Sequence, residues 1–471
     1  MKKTLLITAI VVLIQPVIPA QQGTALAPAP APGVAIDEIF SKWTSSTPGC
    51  AVGVAVGGKP ILLKAYGMAD LERDVRNTPD TIFEAGSVAK QFTAMAVELL
   101  ASEGKLSIDD PVRKYIPELP DYGKPLTIRH MLSHTSGLRD WGSVESIAGW
   151  PRTTREYTHA HVLEIVSKQR SLNFDPGTKW SYSNTGFNLA AIIVSRVSGM
   201  SFAEFSKERI FAPLGMTHTS WRDDHTRIVK GRAMAYSLDN GEYHVEMPFE
   251  NVHGNGGLLT TVGDLLVWNE NLAHPKVGNA KLISEMATGG QFNDGKPLEY
   301  YGLGLFIEIY RGVHNVYHSG STAGYRAHLN RFPDSGTSVA VLCNGSNGDA
   351  SRSANRVSDV FLGDRLKPAP PPPPATAPPA ALNPPPSPEQ LDKLIGSYWS
   401  EEAETMFVAA VDQGSLALRR RPDAVIKLTA IGPDKFRGSI GTVTFMRNAS
   451  GAVDSFSVNQ ERVWDLRFTK K

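Results

Sequence analysis

Residues 86–100 read GSVAKQFTAMAVELL, with Glu84 and Ala85 before them and ASEGKLS after. The apolar spacing predicts a buried helix, and Ser87 and Lys90 stand one helical turn apart at its head. A serine there can cap the helix, because free backbone N–H groups and the helix dipole favour an oxygen. It can equally be a nucleophile beside the group that activates it. The same S-x-x-K spacing recurs at Ser102–Lys105, but with a glycine inside it at a helix end, so those two side chains need not face each other.

Around this stretch the chain divides into regions of distinct composition. Its 471 residues are too many for one ordinary domain, and 48 basic against 47 acidic residues argue against a nucleic-acid binder. The opening MKKTLLITAIVVLIQPVIPA has two lysines, a short apolar run and small residues. That pattern predicts a signal peptide, and the run is well short of the roughly 20 residues a spanning helix needs. Cleavage after Ala20 or Ala27 fits, giving a signal and leader over residues 1–27 and an exported mature chain without a membrane span.

Residues 34–366 read as one folded unit. CAVGVAVGGKPILLKAYG predicts two strands with a Gly-Gly turn. From Thr81 to about Ala287 the pattern is mostly helical, and strands return at YGLGLFIEIY, VYHSGSTAGYRAHLNRFP and TSVAVLCNG. Strands at both ends with helices between imply an α/β unit: one sheet assembled from distant segments, a helical second lobe, and a cleft between them. Residues 367–388 hold 12 of the 33 prolines and read as an extended spacer. Residues 389–471 alternate like short antiparallel strands, predicting a small barrel or sandwich without catalytic groups, for binding, shielding or oligomerisation. The two cysteines, Cys50 and Cys343, lie in apolar strand-like runs, as two buried thiols or one bridge.

Two further stretches bear on Ser87. PGTKWSYSNTGFNLAAIIV carries Tyr182 and Asn184 at the entry to an apolar helix; VYHSGSTAGYRAHL carries His318, Ser319, Gly320 and Ser321 on a strand. With S-V-A-K, Y-S-N and H-S-G in this order, residues 34–366 resemble the serine β-lactamases and penicillin-binding peptidases. They are most similar to the class C-like branch, which includes D-aminopeptidases, DD-carboxypeptidases and esterases. LSHTSGL at 132–138 is also often seen there.

The resemblance implies a β-lactamase/DD-peptidase-like antiparallel sheet flanked by helices, and an acyl-enzyme on Ser87. Lys90 and Tyr182 would activate that serine, which is a weak nucleophile until a base takes its proton. It implies an oxyanion hole from the N–H groups of Ser87 and Ser321, close strand approach at Gly320, and Asn184 orienting Lys90 or a substrate amide. It also implies that Cys50 and Cys343 lie near each other. Many β-lactamases have lysine where His318 stands. A histidine is cationic only when its pKa allows, which points to peptidases or esterases. No cofactor is implied. Substrates would be D-residue peptides, small esters or β-lactams. The alternatives are a non-catalytic penicillin-binding-like sensor or scaffold, and a true class C-type β-lactamase.

Other candidates are weaker. His130 and His134 have i, i+4 spacing, but H-M-L-S-H lacks the zinc-protease glutamate. His159 and His161 read as surface residues near a helix start. Trp141, Trp221 and Tyr325 are candidates for the cleft wall, although aromatic residues are more often core.

Overall fold

A computed structural model describes residues 32–151, 155–369, 371, 381–382 and 384–471. The expected signal and leader, and the centre of the proline-rich spacer, lie outside the described residues.

The first unit is built on six antiparallel strands: β1 (Cys50–Val56), β2 (Lys59–Tyr66), β3 (Phe306–Tyr310), β4 (Val313–Thr322), β5 (Tyr325–Phe332) and β6 (Thr337–Cys343). Their order across the sheet is β3-β4-β5-β6-β1-β2. The sheet is thus assembled from chain ends some 250 residues apart, as the distribution of strand signals predicts. In β1 the two-residue period sorts side chains by size. Cys50, Val52 and Val54 join a core with α1 (Pro32–Ile39) and the last helix of the unit, Ala350–Leu362. On the other face are Ala51, Gly53 and Ala55, where a Cβ on Gly53 would come within 3.0 Å of Leu266 on the helix Val262–Ala273. The small residues let that helix pack directly on the sheet. Cys50 stands opposite Cys343 in the β1–β6 ladder, and the two form a disulfide.

The helical lobe centres on α2 (Lys90–Ser102), buried from Lys90 to Leu100, and on α3 (Asn184–Ser198) packed against it. Helices apolar on every side belong in a core. The lobe is less helical than its sequence pattern predicts. Three short strands, Phe83–Glu84, Ser220–Trp221 and Leu258–Thr260, pair beside the site, and Tyr236–Asp239 pairs with Glu242–Val245. Two- to four-residue strands are too short to leave a period.

Residues 396–470 form nine antiparallel strands. The edge strands Ala424–Lys427 and Thr429–Gly432 are separated only by Leu428, so the sheet curls nearly into a barrel. This C-terminal domain docks on the helical lobe. Arg139, 2% exposed, pairs with Glu402 at 3.1 Å and donates to the carbonyl of Trp464. Trp464 packs on Phe174, and Arg420 donates to the carbonyls of Ser146 and Ile147.

Candidate active site

Ser87 lies in a short turn, Gly86–Ala89, that runs into α2. Neither the turn nor the helix has a side-chain cap, so Ser87 is not there as a capping residue. Gly86 takes φ +50°, and a Cβ on it would stand 2.6 Å from the Ser321 nitrogen. A Cβ on Gly320 would lie 2.0 Å from the Ala85 oxygen and 3.0 Å from the Ser87 nitrogen. Only two facing glycines let β4 lie this close to the turn. The peptides of Ser87 and Ser321 thereby become neighbours at the floor of a cleft of about 980 Å³.

Lys90 is fully buried. Its Nζ is 3.0 Å from Ser87 Oγ, 2.9 Å from Asn184 Oδ1 and 2.7 Å from the Asn255 carbonyl oxygen. Burial drives its pKa well below that of an ordinary lysine; the Asp140 charge opposes this and Arg462 adds to it. A neutral amine has two N–H bonds and one lone pair. The Asn184 and Asn255 oxygens accept and cannot donate, so they take the two hydrogens. In that neutral form the lone pair is left facing the Ser87 hydroxyl.

Tyr182 packs on His134 with ring centroids 4.2 Å apart and has Lys90 Nζ 4.9 Å from its ring centroid; its phenol lies beside the Ser87 hydroxyl. Burial pushes the phenol above its usual range, more than the bond to Ser87 and the Arg462 charge lower it. Tyr182 is therefore a neutral phenol. Asn184 opens α3, its backbone N–H held by Asp140 Oδ1 at 2.7 Å. Asn255 is fixed in turn by Asn188, at 2.7 Å.

His318 is fully buried. Its Nδ1 is 2.6 Å from the Ser319 carbonyl and so carries the hydrogen; its Nε2 then accepts from the Tyr301 hydroxyl at 3.3 Å. Tyr301 Oη accepts from His134 Nε2 at 3.1 Å, and His134 Nδ1 accepts from the Ser183 N–H at 3.1 Å. This relay, ending in a backbone donor and a backbone acceptor, fixes both imidazoles as neutral. Burial and the nearby Lys90 lower the His318 pKa to about 3. His318 is a wall of the cleft with neither ring nitrogen free for a ligand.

Several sequence expectations are corrected here. His130 and His134 do not share a helix face: the helix Ile128–Leu132 ends between them, and His134 turns inward at φ +59°. His130 instead accepts from the Thr127 N–H. His159 is half-buried and bonded to the His253 carbonyl rather than a free surface residue. Trp141, Trp221 and Tyr325 are core; the aromatic residues lining the cleft are Trp180, Tyr182, Phe249 and Phe306. The C-terminal domain, read as lacking chemistry, contributes Glu461 and Arg462 to the cleft lining. The Arg462 guanidinium lies 4.7 Å from the Tyr182 ring.

The Beta-lactamase family model matches residues 35–362. The chain belongs to the beta-lactamase family. Among family relatives, protein flp of Staphylococcus aureus (strain NCTC 8325 / PS 47) is 28% identical over 305 residues, 63% of this chain and 59% of its own. Penicillin-binding protein 4* of Bacillus subtilis (strain 168) is 29% identical over 311 residues, 62% of this chain and 66% of its own. A D-aminopeptidase of Gluconobacter oxydans (strain 621H) is 28% identical over 302 residues, 63% and 56%. The chain spans about three fifths of the length of these curated relatives. Among solved structures, the octameric penicillin-binding protein homologue from Pyrococcus abyssi superposes with a TM-score of 0.62 at 25% identity, covering 93% of this chain and 99% of that one. The match reaches beyond the family domain into the C-terminal sheet.

Proposed function

We propose that the protein is an exported serine hydrolase that forms an acyl-enzyme on Ser87. The observation that carries this reading is the buried Lys90 amine, its Nζ 3.0 Å from Ser87 Oγ and held by the oxygens of Asn184 and Asn255, with burial driving its pKa well below the ordinary lysine range. Ser87 Oγ attacks an amide or ester carbonyl carbon while Lys90 Nζ takes the hydroxyl proton. The carbonyl oxygen becomes an oxyanion beside the N–H groups of Ser87 and Ser321. Tyr182, touching Ser87, relays a proton from Lys90 to the leaving nitrogen or oxygen as its bond to carbon breaks. Water then attacks the Ser87 ester by the reverse route and releases the acid.

The substrates that fit are D-residue peptides or amides, small esters, or β-lactams. Relatives described as a D-aminopeptidase and a penicillin-binding protein support the first and last of these. The basic-apolar opening of the sequence supports export, as does the Cys50–Cys343 disulfide, since such bonds persist in oxidising compartments.

A fluorophosphonate should label Ser87, and labelling should vanish in Ser87→Ala and fall at least a hundred-fold in rate in Lys90→Ala. Labelling that survives Ser87→Ala would place the nucleophile elsewhere. Labelled protein that never turns over any D-amino acid amide, p-nitrophenyl ester or cephalosporin would favour the sensor reading.

A further inference from the structure

The relay through His134, Tyr301 and His318 leaves the wall of β4 without a cation beside the nucleophile. Three arginines line the cleft: Arg222, Arg326 and Arg462. Arg222 is neutralised by Glu84 at 2.8 Å. Arg326 turns its guanidinium onto the carbonyls of Ala323 and Tyr325, at 2.7 Å each, in its own hairpin. Arg462 differs from both. Among the described residues its guanidinium donates no hydrogen bond and meets no carboxylate at ion-pair distance. Its contact is with the Tyr182 ring, and a guanidinium held against a phenol keeps its N–H edges free for a planar acceptor.

Arg462 is also held in place from both sides. It lies in the connection between the strands Val453–Asn459 and Leu466–Lys470, where the Gln460 N–H donates to the Val463 carbonyl at 2.7 Å. The Arg462 carbonyl accepts from the Asp140 N–H at 3.3 Å and from Asn173 Nδ2 at 3.1 Å. The Trp464 N–H returns a bond to Asn173 Oδ1 at 2.8 Å, and the Trp464 carbonyl is held by buried Arg139. A hairpin tip fastened by Asp140, Asn173 and Arg139 of the other domain is a preorganised mount for one side chain. Of the cleft's five carboxylates, Glu84 is spent on Arg222, Asp349 caps its helix and the Glu246 charge acts on Arg326; Glu250 and Glu461 line the cleft as well.

We propose that Arg462, delivered by the C-terminal domain, binds the substrate's carboxylate next to the scissile bond and selects acyl compounds whose leaving residue ends in a free carboxylate. The hydrolase reading above identifies which bond lies nearby; the binding of the carboxylate is independent of turnover. Because Arg462 reaches Tyr182, and Tyr182 reaches Ser87, the selected carboxylate belongs to the residue directly after the cleaved bond.

The test separates binding from chemistry. In the full chain carrying Ser87→Ala, calorimetry should find N-acetyl-D-alanyl-D-alanine bound at least ten-fold more tightly than its C-terminal amide. Adding Arg462→Gln should remove that preference, Arg462→Lys should keep part of it because the charge remains, and Arg326→Gln should leave it intact. Equal binding of acid and amide, or no binding of either, overturns the proposal. So does a preference that disappears with Arg326→Gln, or one that follows a free α-ammonium and is lost in Glu461→Gln. With reactive Ser87, the D-lactate ester of N-acetyl-D-alanine should exceed the D-lactamide ester in kcat/KM at least ten-fold, and Arg462→Gln should bring the two together. If fluorophosphonate fails to label Ser87 while the acid preference in binding persists, the hydrolase reading falls and this assignment stands.

Discussion

Gly320 shows how much a single hydrogen atom decides at this site. Any larger side chain would drive its Cβ into the Ala85 carbonyl, a backbone atom that cannot rotate away. The strand would have to withdraw from the turn holding Ser87, taking the Ser321 N–H with it. A donor displaced from a developing oxyanion typically costs about 3 kcal/mol of transition-state stabilisation. Gly320→Ala should therefore slow fluorophosphonate labelling of Ser87 by about a hundred-fold or more. An unchanged rate would mean that Ser321 does not serve the oxyanion. The same economy of contact governs His318, where the tautomer is forced by its neighbours: a carbonyl on one side requires a hydrogen and a hydroxyl on the other supplies one.

At the scale of elements, α2 carries two ionisable groups into the core and treats them differently. Lys90 at its start has its nitrogen held by three oxygens, whereas Glu98, two turns on, reaches no hydrogen-bond partner for its Oε1 among the described residues. Burial, reinforced by Glu285 and opposed by Arg129, raises the Glu98 pKa to about 7 from 4.5. Below pH ~4.5 the carboxyl is protonated whether the chain is folded or not. Between ~4.5 and ~7 the unfolded chain ionises it and the folded chain does not, so stability is lost as pH rises through this window. The wild type should therefore lose melting temperature relative to Glu98→Gln from pH 4.5 to 7, with a constant gap above. A gap that does not change with pH would show that Glu98 is solvated. The strands β1 and β6 have the opposite character. Their side chains sort by size across the sheet, and Cys50 and Cys343 fall on one face in register, so the bond between them closes the sheet where the two ends of the domain meet.

Across the whole molecule, the interface between the domains is organised around Arg139. Its guanidinium joins Glu402 and the carbonyls of Ser171 and Trp464 in one buried knot. Burial outweighs the Arg139 charge and raises the Glu402 pKa to about 7. Removing one partner of a buried pair typically costs on the order of 3–5 kcal/mol, because the other is left uncompensated. Arg139→Met should loosen the C-terminal sheet and split the calorimetric transition into two, with Glu402→Gln in the same chain recovering part of the loss. A single unshifted transition would place the strength of the interface elsewhere. Since the loop bearing Arg462 hangs on the same knot, Arg139→Met should also weaken the preference for carboxylate ligands without touching the cleft.

The sequence by itself determined the family fold and named the residues of the candidate site. S-V-A-K, Y-S-N and H-S-G each occupy a few contiguous residues on one element, and side chains one helical turn or one strand step apart keep their relation in any fold that preserves the element. The nearness of the two cysteines followed from the same resemblance. His134 was within reach of sequence reading, since it lies in the quoted LSHTSGL, but only its inward turn reveals its link to His318. Tyr301, the Asn255 carbonyl and Arg462 lay beyond that reading. They meet His134, Lys90 and Tyr182 respectively across separations of up to some 280 residues, and Q-E-R-V-W-D has the composition of any solvated hairpin tip. Whether its arginine faces open water or the cleft depends on how one domain packs against another, because the free energy that settles it comes from surfaces far apart in the chain.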